Sequence, residues 1–278
     1  MVIKKILNNN VVITENDSGK EIIVMGAGLA FKSKKGDIIP EEKIDKIFTL
    51  SDNEANQKLQ LILSEIPLEY VEVTEKIINN AKEKLGKKLN DTLYITLTDH
   101  IYSSVERYNE GLPLKNALLW DTKRFYKEEF TIGMECLQII KDKFNVDMQE
   151  DEAASIALHI VNAQMNEDMT ILYDITKIMQ EITNIVKYHF NIIFNEESLA
   201  YYRFITHLKF FAQRLLKEND YRDDNDSELF ETVKKKYKDA YECTKKIDKF
   251  ILEKYNYKLA DEELLYLTIH ITKVIKNS

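Results

Sequence analysis

A pattern of five residues occurs twice in this chain, in the same order and at nearly the same spacing. In each copy an arginine follows a histidine by seven residues, a cysteine preceded by glutamate follows that histidine by 36, and a Glu-x6-His stretch ends the copy. The matched residues are His100, Arg107, Glu135, Cys136 and His159 in the first copy and His207, Arg214, Glu242, Cys243 and His270 in the second. The paired histidines are 59 residues apart in the first copy and 63 apart in the second, a difference of about one helical turn. The repeat predicts two similar domains in tandem, each of roughly 105 residues.

The repeated part of the chain has the hydrophobic period of helices. Ser51 and Glu54 form a capping-box pattern, Pro67 suits the first turn of the next helix, and Gly86 suits its end. Three prolines and seven glycines in 278 residues also favour long helices. Breaks between helices are predicted at 109–114, 145–148 and 218–226. We therefore predict two tandem all-α helical bundles.

Residues 1–50 have instead the pattern of short strands. The segments VIKKIL, VVIT and EIIVM are rich in β-branched residues, and the turn cluster ENDSGK joins the last two. Val11 to Met25 is therefore predicted to form a hairpin, and Gly36-Asp37 marks a further turn. The expected result is a small antiparallel sheet of four strands. About 50 residues bury little apolar surface, so we expect this head to dimerise.

The chain is acidic overall, but its head is basic. The net charge is −8, whereas residues 1–36 contain six lysines and three acidic residues, which leaves −11 on the remainder. An acidic surface repels phosphate, which argues against nucleic-acid binding by the whole chain. Any such binding is therefore expected at the head.

Composition also restricts the compartment and the chemistry. The two cysteines have no metal-ligand spacing, which fits a reduced, cytoplasmic protein. No apolar run approaches the roughly 20 residues that span a bilayer, and the N-terminus has no signal-peptide pattern, so we expect no membrane insertion. The sequence shows no Gly-rich phosphate loop, no nucleophile motif and no closed set of metal ligands. We therefore expect no enzyme, no catalytic residues, no metal and no cofactor.

The paired histidines have three interpretations. A histidine on an apolar helix face is most often a core residue bonded to a neighbour. Asp99 beside His100 is typical of metal-dependent phosphohydrolases, but the second copy has Thr206 at the matching position. Reversible phosphorylation is the third interpretation, because imidazole is a good phosphoryl acceptor near neutral pH.

Charged residues lie at helical spacing from these histidines. Glu152 and Glu263 precede the second histidine of each copy by seven residues, which puts each carboxylate on the same helix face as that histidine. An arginine near a histidine could bind an added phosphate through two N–H groups. The candidates for this contact are Arg107, Arg203 and Arg214.

These motifs together resemble a known family. The head contains KILNNNVVIT, EIIVMGAGLAF, KKGD and KIDKIFTL, and the body contains DHI followed by Arg107, then DEAASIALHI, THLKFFAQR and TIHI. Over its whole length the chain resembles the BglG/SacY/LicT transcriptional antiterminators of bacteria. The resemblance implies a co-antiterminator RNA-binding domain at 1–55, a helical linker at 56–66, and PTS regulation domains at 67–170 and 171–278.

The resemblance also implies a function. The head would dimerise and bind a hairpin in the leader mRNA, the ribonucleic antiterminator, so that an overlapping terminator cannot form and a sugar operon is transcribed. Overall resemblance favours a β-glucoside operon. The sugar phosphotransferase system would control the protein through phosphohistidine. A sugar-specific enzyme II permease would inactivate it through the first copy, and HPr would activate it through the second and favour a closed dimer.

Residue roles follow from the same resemblance. The RNA contacts it implies are Lys5, Asn8, Asn10, Gly26, Gly28 and Phe31. The phosphorylation sites it implies are His100, His159, His207 and His270. The asparagines could instead form a loop with satisfied side-chain bonds, which is the simpler interpretation for Asn9. Many members carry Lys or Arg where this chain has Ala27, so either that charge contact is missing here or Lys32, Lys34 and Lys35 replace it.

A DNA-binding activator with the same regulatory domains is the alternative function. It would need a helix-turn-helix head. Residues 1–50 are predicted as strands, which favours the RNA-binding interpretation.

Overall fold

The computed structural model describes residues 1–16, 18–48, 53–166, 169–217, 227–276 and 278. The predicted capping box, which begins at Ser51, and the predicted break at 218–226 lie outside these residues. Contacts between residues divide the chain into two compact units, Met1–Glu167 and Asp168–Ser278. The domain limits at residues 55, 66 and 170 remain predictions.

The head forms one antiparallel sheet of four strands, as predicted. The strands, in their order across the sheet, are β1 (Lys5–Asn8), β2 (Val11–Glu15), β3 (Glu21–Met25) and β4 (Lys46–Phe48). β2 and β3 pair from Val11 opposite Met25 to Glu15 opposite Glu21, which confirms the predicted hairpin. A short 3-10 helix, Glu41–Lys43, precedes β4.

The rest of the described chain is helical, which confirms the predicted fold class. In the first unit the helices are α1 (Asn53–Glu65), α2 (Leu68–Leu85), α3 (Leu93–Asn109), α4 (Leu119–Phe125), α5 (Lys127–Phe144) and α6 (Glu150–Met165). In the second unit they are α7 (Met169–Phe190), α8 (Leu199–Leu216), α9 (Ser227–Lys236), α10 (Lys238–Tyr255) and α11 (Asp261–Ile275). None of the helices in the described ranges is long and apolar enough to cross a membrane.

Local signals end the helices where the sequence indicates. Pro67 precedes α2, and Gly86 ends it in the left-handed region at φ 60°. Asn145 ends α5 in the same region at φ 56°, because asparagine tolerates this conformation better than most residues. The predicted breaks at 109–114 and 145–148 separate α3 from α4 and α5 from α6.

Both faces of the sheet are buried. On one face, Val11, Ile23 and Met25 join the apolar cluster that contains Leu59 and Leu63 of α1 and continues into the helices of the first unit. The other face packs within the head, in a cluster of Ile3, Val12, Ile22, Val24, Leu29, Ala30 and Ile39. The head and the first helical domain therefore share one hydrophobic core.

Gly133 allows α5 and α6 to pack closely. A Cβ atom on this residue would lie 2.3 Å from the carbonyl oxygen of Ala153 in α6, well inside van der Waals contact. Gly133 has an ordinary helical φ, so its role here is steric. The small residues of α6 that meet α5 continue this contact, and α6 also carries His159.

We expect Gly133→Ala to destabilise the first unit by about 1–3 kcal/mol, because the two helices must move apart and the core loosens. Alanine is the better helix former, so a purely local effect would have the opposite sign. Thr131→Ala, at an exposed position of the same helix, is the control and should change stability by less than about 0.5 kcal/mol. Urea denaturation followed by circular dichroism measures both. Equal midpoints for Gly133→Ala and the parent chain would contradict the steric role.

Candidate functional sites in the head and the histidine pairs

The asparagine turn of the head lies directly against the loop that follows β3. The Gly26 amide donates to the Asn10 carbonyl oxygen at 2.9 Å, and the Ala30 amide donates to that of Asn9 at 2.9 Å. The Gly28 amide donates to the side-chain Oδ1 of Asn10 at 2.8 Å. The turn and loop therefore form one continuous surface, which contains five of the six RNA contacts implied by resemblance.

The three asparagines have different roles in this turn. Asn8 accepts the Asn10 amide on Oδ1 at 2.8 Å and donates from Nδ2 to the Leu63 carbonyl oxygen at 2.6 Å, so it joins the turn to α1. Asn10 uses its Oδ1 to hold the loop. Asn9 is exposed. The interpretation of a loop with satisfied side-chain bonds therefore applies to the side-chain oxygen atoms of Asn8 and Asn10.

The two glycines of the loop are needed for different reasons. A Cβ on Gly26 would lie 1.7 Å from the Lys43 carbonyl oxygen, so no other residue fits. Gly28 has φ +64° with open space around it, which exposes the backbone there. Asp45, which precedes β4 and which no sequence pattern indicates, accepts the Ala27 amide on its carboxylate at 3.1 Å and so holds the loop in place. A single aspartate gives no signal of such a bond in the sequence.

Phe31 and the lysines provide the exposed chemistry of this surface. The Phe31 side chain is 60% exposed, which leaves the face of its ring available for stacking. The Lys32 ammonium lies 5.4 Å from the centre of that ring. Lys5, on β1, is exposed, as are Lys34 and Lys35. The surface can therefore offer an aromatic ring for stacking, positive charge and exposed backbone to a ligand. The contacts of individual residues with RNA remain predictions.

The helical packing brings the two histidines of the first copy together. The rings of His100 on α3 and His159 on α6 lie with their centres 4.7 Å apart. Glu152, expected beside His159 on its own helix, instead has Oε1 2.6 Å from Nε2 of His100. Both atoms are buried and lack the alignment of a hydrogen bond, so the contact is an ion pair when the imidazole is protonated.

The second copy repeats the histidine pair but not the carboxylate contact. The rings of His207 on α8 and His270 on α11 are stacked, with centres 4.5 Å apart and planes at 19°. Glu263 accepts hydrogen bonds from the Tyr257 hydroxyl at 3.0 Å and from the Ala260 amide at 3.2 Å. Its other oxygen lies 4.0 Å from Nη2 of Arg214.

The three candidate arginines have different surroundings. Arg107 donates to the Ser104 hydroxyl at 2.8 Å and lines a cavity of about 220 Å³ together with Lys115 and Glu152. Arg214 lies near His207, and its charge contributes to lowering the pKa of that histidine. Desolvation first, then the charges of Lys273 and of the exposed Arg203, lowers the pKa of His270, which places Arg203 near the second histidine of the pair. Contact with a phosphate remains a prediction for all three.

Burial keeps the imidazoles of His159, His207 and His270 neutral near pH 7, because it lowers their pKa values. Desolvation, with a smaller contribution from the charge of His100, lowers the pKa of His159 to about 3. Desolvation first, then His270 and Arg214, lowers the pKa of His207 to about 4. Burial also lowers the pKa of His270, and it raises the pKa of the Glu263 carboxyl. A neutral imidazole has a free lone pair, which a phosphoryl acceptor needs.

The remaining candidate residues are structural. Cys136 and Cys243 are fully buried, and burial raises the pKa of each thiol to about 12, so both are packing residues. Glu135, next to Cys136, bonds to Lys84 and Asn80 and makes no site. Within the described residues no three His, Cys, Asp or Glu side chains are arranged to hold a metal ion.

Comparison with family models identifies both parts of the chain. Residues 1–57 match the model of the CAT RNA binding domain. Residues 75–163 and 180–274 each match the model of the PRD domain. The head sheet and the two histidine-bearing repeats therefore correspond to the domains of these models.

Comparison with individual proteins gives relatives that cover the whole chain. Transcription antiterminator LicT of Bacillus subtilis is 55% identical over 278 residues, all of both chains. A beta-glucoside operon antiterminator of Dickeya chrysanthemi is 47% identical over 99% of this chain and 96% of its own. Among solved structures, the CAT-PRDI fragment of GlcT is 32% identical, covers 59% of this chain and 98% of its own, and superposes with a TM-score of 0.52.

The depressed pKa of His159 predicts a pH dependence of stability. The unfolded imidazole titrates near 6.5, so between about pH 6.5 and pH 3 the unfolded chain binds a proton that folded His159 does not. Stability therefore falls as the pH drops through this range, by about 2 kcal/mol between pH 7 and pH 5 from this group. We expect His159→Gln to reduce the loss by that amount in urea titrations at both pH values. An equal loss in the variant and the parent would show that His159 is already protonated at pH 5.

Proposed function

This chain belongs to the family of transcription antiterminators built from a CAT RNA binding domain and PRD domains, and we propose that it binds a leader mRNA hairpin and prevents a terminator from forming. The observation that carries the proposal is the surface made by the asparagine turn and the loop from Gly26 to Phe31. An exposed aromatic ring, open backbone and several lysines meet there. These are the groups that recognise single-stranded or bulged RNA.

The chemistry of this surface suits a hairpin with unpaired bases. Phe31 can stack on a base, since an aromatic ring tolerates any base face. The amide of Asn9 and the remaining amide hydrogens of Asn10 can bind base edges or 2′-hydroxyl groups. The neighbouring lysines neutralise phosphate, and Ala27 leaves this task to them. The strands of the head leave no helix-turn-helix within residues 1–16 and 18–48, the part of the head that the structure describes, so the DNA-binding alternative has no support.

We further propose that phosphorylation of the histidine pairs regulates the protein. Two imidazoles are adjacent in each PRD domain, burial keeps those of His159 and His207 neutral, and Arg214 lies near the second pair. The donors would be a sugar-specific enzyme II permease, inactivating through the first copy, and HPr, activating through the second. We propose that a homodimer binds the RNA, so that two copies of the RNA surface must meet. Phosphorylation of the second copy would then change RNA binding through its effect on dimerisation.

The similarity to a beta-glucoside operon antiterminator supports control of a β-glucoside operon by this chain. We propose that the protein acts in the cytoplasm, where nascent mRNA and the phosphotransferase proteins are found. Its family consists of RNA-binding regulators, and we propose no catalytic activity.

We expect Phe31→Ala to weaken binding of full-length protein to its leader hairpin by about 1–3 kcal/mol, because a base loses its stacking partner. The fold should be unaffected, since the ring is exposed. Ile38→Ala, which removes another exposed apolar side chain from the head, is the matched control and should bind normally. Gel shifts with the leader RNA from beside the gene measure both. Wild-type affinity for Phe31→Ala would remove this residue from the RNA surface.

We expect His100→Ala to give antitermination without the inducing sugar, because the inhibitory phosphate cannot be added. The measurement is a terminator–reporter fusion with and without inducer. His189→Ala is the control, since His189 lies outside both pairs and should leave induction normal. A reporter that still depends fully on inducer in the His100→Ala strain would refute inhibition through the first copy.

A further inference from the structure

The two PRD domains place an equivalent carboxylate on different partners. Glu152 and Glu263 each occupy the third position of the last helix of their domain, seven residues before the second histidine. At this position a glutamate can reach back to the amide that precedes the helix or reach across to a neighbouring helix. Glu152 reaches across to His100, and Glu263 reaches back to Ala260.

In the first domain the carboxylate blocks a nucleophilic nitrogen. Oε1 of Glu152 lies 2.6 Å from Nε2 of His100, and both atoms are buried. Although the contact lacks the alignment of a hydrogen bond, an unprotonated Nε2 would place its partial negative charge 2.6 Å from a carboxylate oxygen, so the repulsion favours the form of His100 with a proton on Nε2. That nitrogen then has no lone pair for bond formation. A phosphoryl group placed there would also meet the negative charge of Glu152.

In the second domain the carboxylate is held away from the histidine. Glu263 is 4% exposed and bonds to Tyr257, to the Ala260 amide and, more distantly, to Arg214. In the described residues His207 forms no ion pair with a carboxylate. Phosphorylation of His207 therefore displaces no carboxylate, and Arg214 is already near this histidine.

One residue difference accounts for the two arrangements. Tyr257 follows Asn256, which has φ 53°, and its counterpart Val146 follows Asn145, which has φ 56°. The matching backbone places the two residues at the same point before the last helix. Valine has no hydroxyl, so only the second domain can bond its glutamate there.

We propose that Glu152 is a positioning residue that restrains phosphorylation of His100 on Nε2, and that Tyr257 removes the same restraint from His207 by holding Glu263. The inference rests on the proposed histidine phosphorylation and specifies how the two domains differ in it. Phosphate can enter the first domain only when Glu152 leaves His100. Its carboxylate can then move to the amide at the start of α6, the position that Glu263 takes in α11.

The chemical step is a phosphoryl transfer between nitrogens. The P–N bond of the donor breaks, the P–Nε2 bond forms, and the Nε2 proton passes to solvent or to the departing Glu152. In the donor, the electron pair of the broken bond remains on its nitrogen, which takes up a proton. Phosphoramidate is a small donor of this class and releases ammonia, so it tests the chain without any partner protein.

The experiment incubates the full-length chain with phosphoramidate near neutral pH and measures initial phosphorylation of each histidine by mass spectrometry. We expect His207 to react faster than His100. Glu152→Gln keeps the shape and removes the charge, and should accelerate His100 by roughly three- to tenfold without changing His207. Glu150→Gln, which removes an exposed charge from the same helical turn, is the control and should change neither rate.

The second domain provides the reverse test. Tyr257→Phe should slow His207 by a similar factor, because Glu263 loses a partner and becomes free to reach the imidazole. Adding Glu263→Gln to Tyr257→Phe should restore the rate of His207 phosphorylation. If Tyr257→Phe acted through a general loss of packing instead, the second substitution would not restore it. Circular dichroism checks that each variant is folded. Nitrogen chemical shifts of His100 in the unphosphorylated chain should show a proton on Nε2, and Glu152→Gln should reduce the population of this form.

The outcomes separate this inference from the proposed function. Equal His100 rates in the parent and Glu152→Gln, or no restoration by Glu263→Gln, would overturn the role of the carboxylates. An Nδ1-protonated His100 in the parent chain would do so as well, even if phosphoramidate labels no histidine. A chain that reacts as expected with phosphoramidate but accepts no phosphate from HPr or the permease would refute the proposed regulation and leave the carboxylate effect intact.

Discussion

The packing of the head sheet on α1 is the contact on which the first unit depends. Val11, Ile23 and Met25 bury one face of the sheet against Leu59 and Leu63, in a cluster that continues through the helices around His100. Polar contacts reinforce the junction: Asn8 donates to the Leu63 carbonyl oxygen, and the Lys46 ammonium of β4 pairs with Glu75 and bonds to the Tyr94 hydroxyl. The RNA surface and the first histidine pair are thus built on one core, so a movement of α1 would change the support of the asparagine turn.

The duplicated domains retain their apolar framework and differ in polar contacts. Each pairs two histidines across two helices, and each ends its penultimate helix with an asparagine in the left-handed region. The carboxylate near the pair, however, contacts a histidine in one domain and a tyrosine in the other. Apolar packing tolerates little change of volume, so the framework of the two domains is retained. A buried carboxylate requires polar partners, so one added hydroxyl is enough to redirect it. A duplicated site can therefore acquire a different function without a change of fold.

Much of the candidate site was predictable as a set of residues, and little of it as geometry. The repeat indicated which histidines belong together, and the resemblance indicated the turn and loop of the head. Asn8 and Asn10 were expected to face a ligand, yet their side-chain oxygens hold the backbone of the turn and the loop. Gly26 was expected to let RNA approach, and the structure adds that it avoids the Lys43 carbonyl oxygen. Asp45 and Tyr257 were missed because their bonds join residues that no local pattern relates.

The sequence by itself determined the strands of the head, the helices of the body, the tandem repeat and the separation of basic and acidic regions. These features depend on hydrophobic period, turn residues and charge, which act within a few residues of each other in the chain. Tertiary structure alone decided that Glu152 meets His100 rather than His159, and that Glu263 turns back to Ala260. A glutamate side chain has several low-energy rotamers on the same helix. Which of them is occupied depends on the partners that neighbouring helices present, and only the packed fold supplies those.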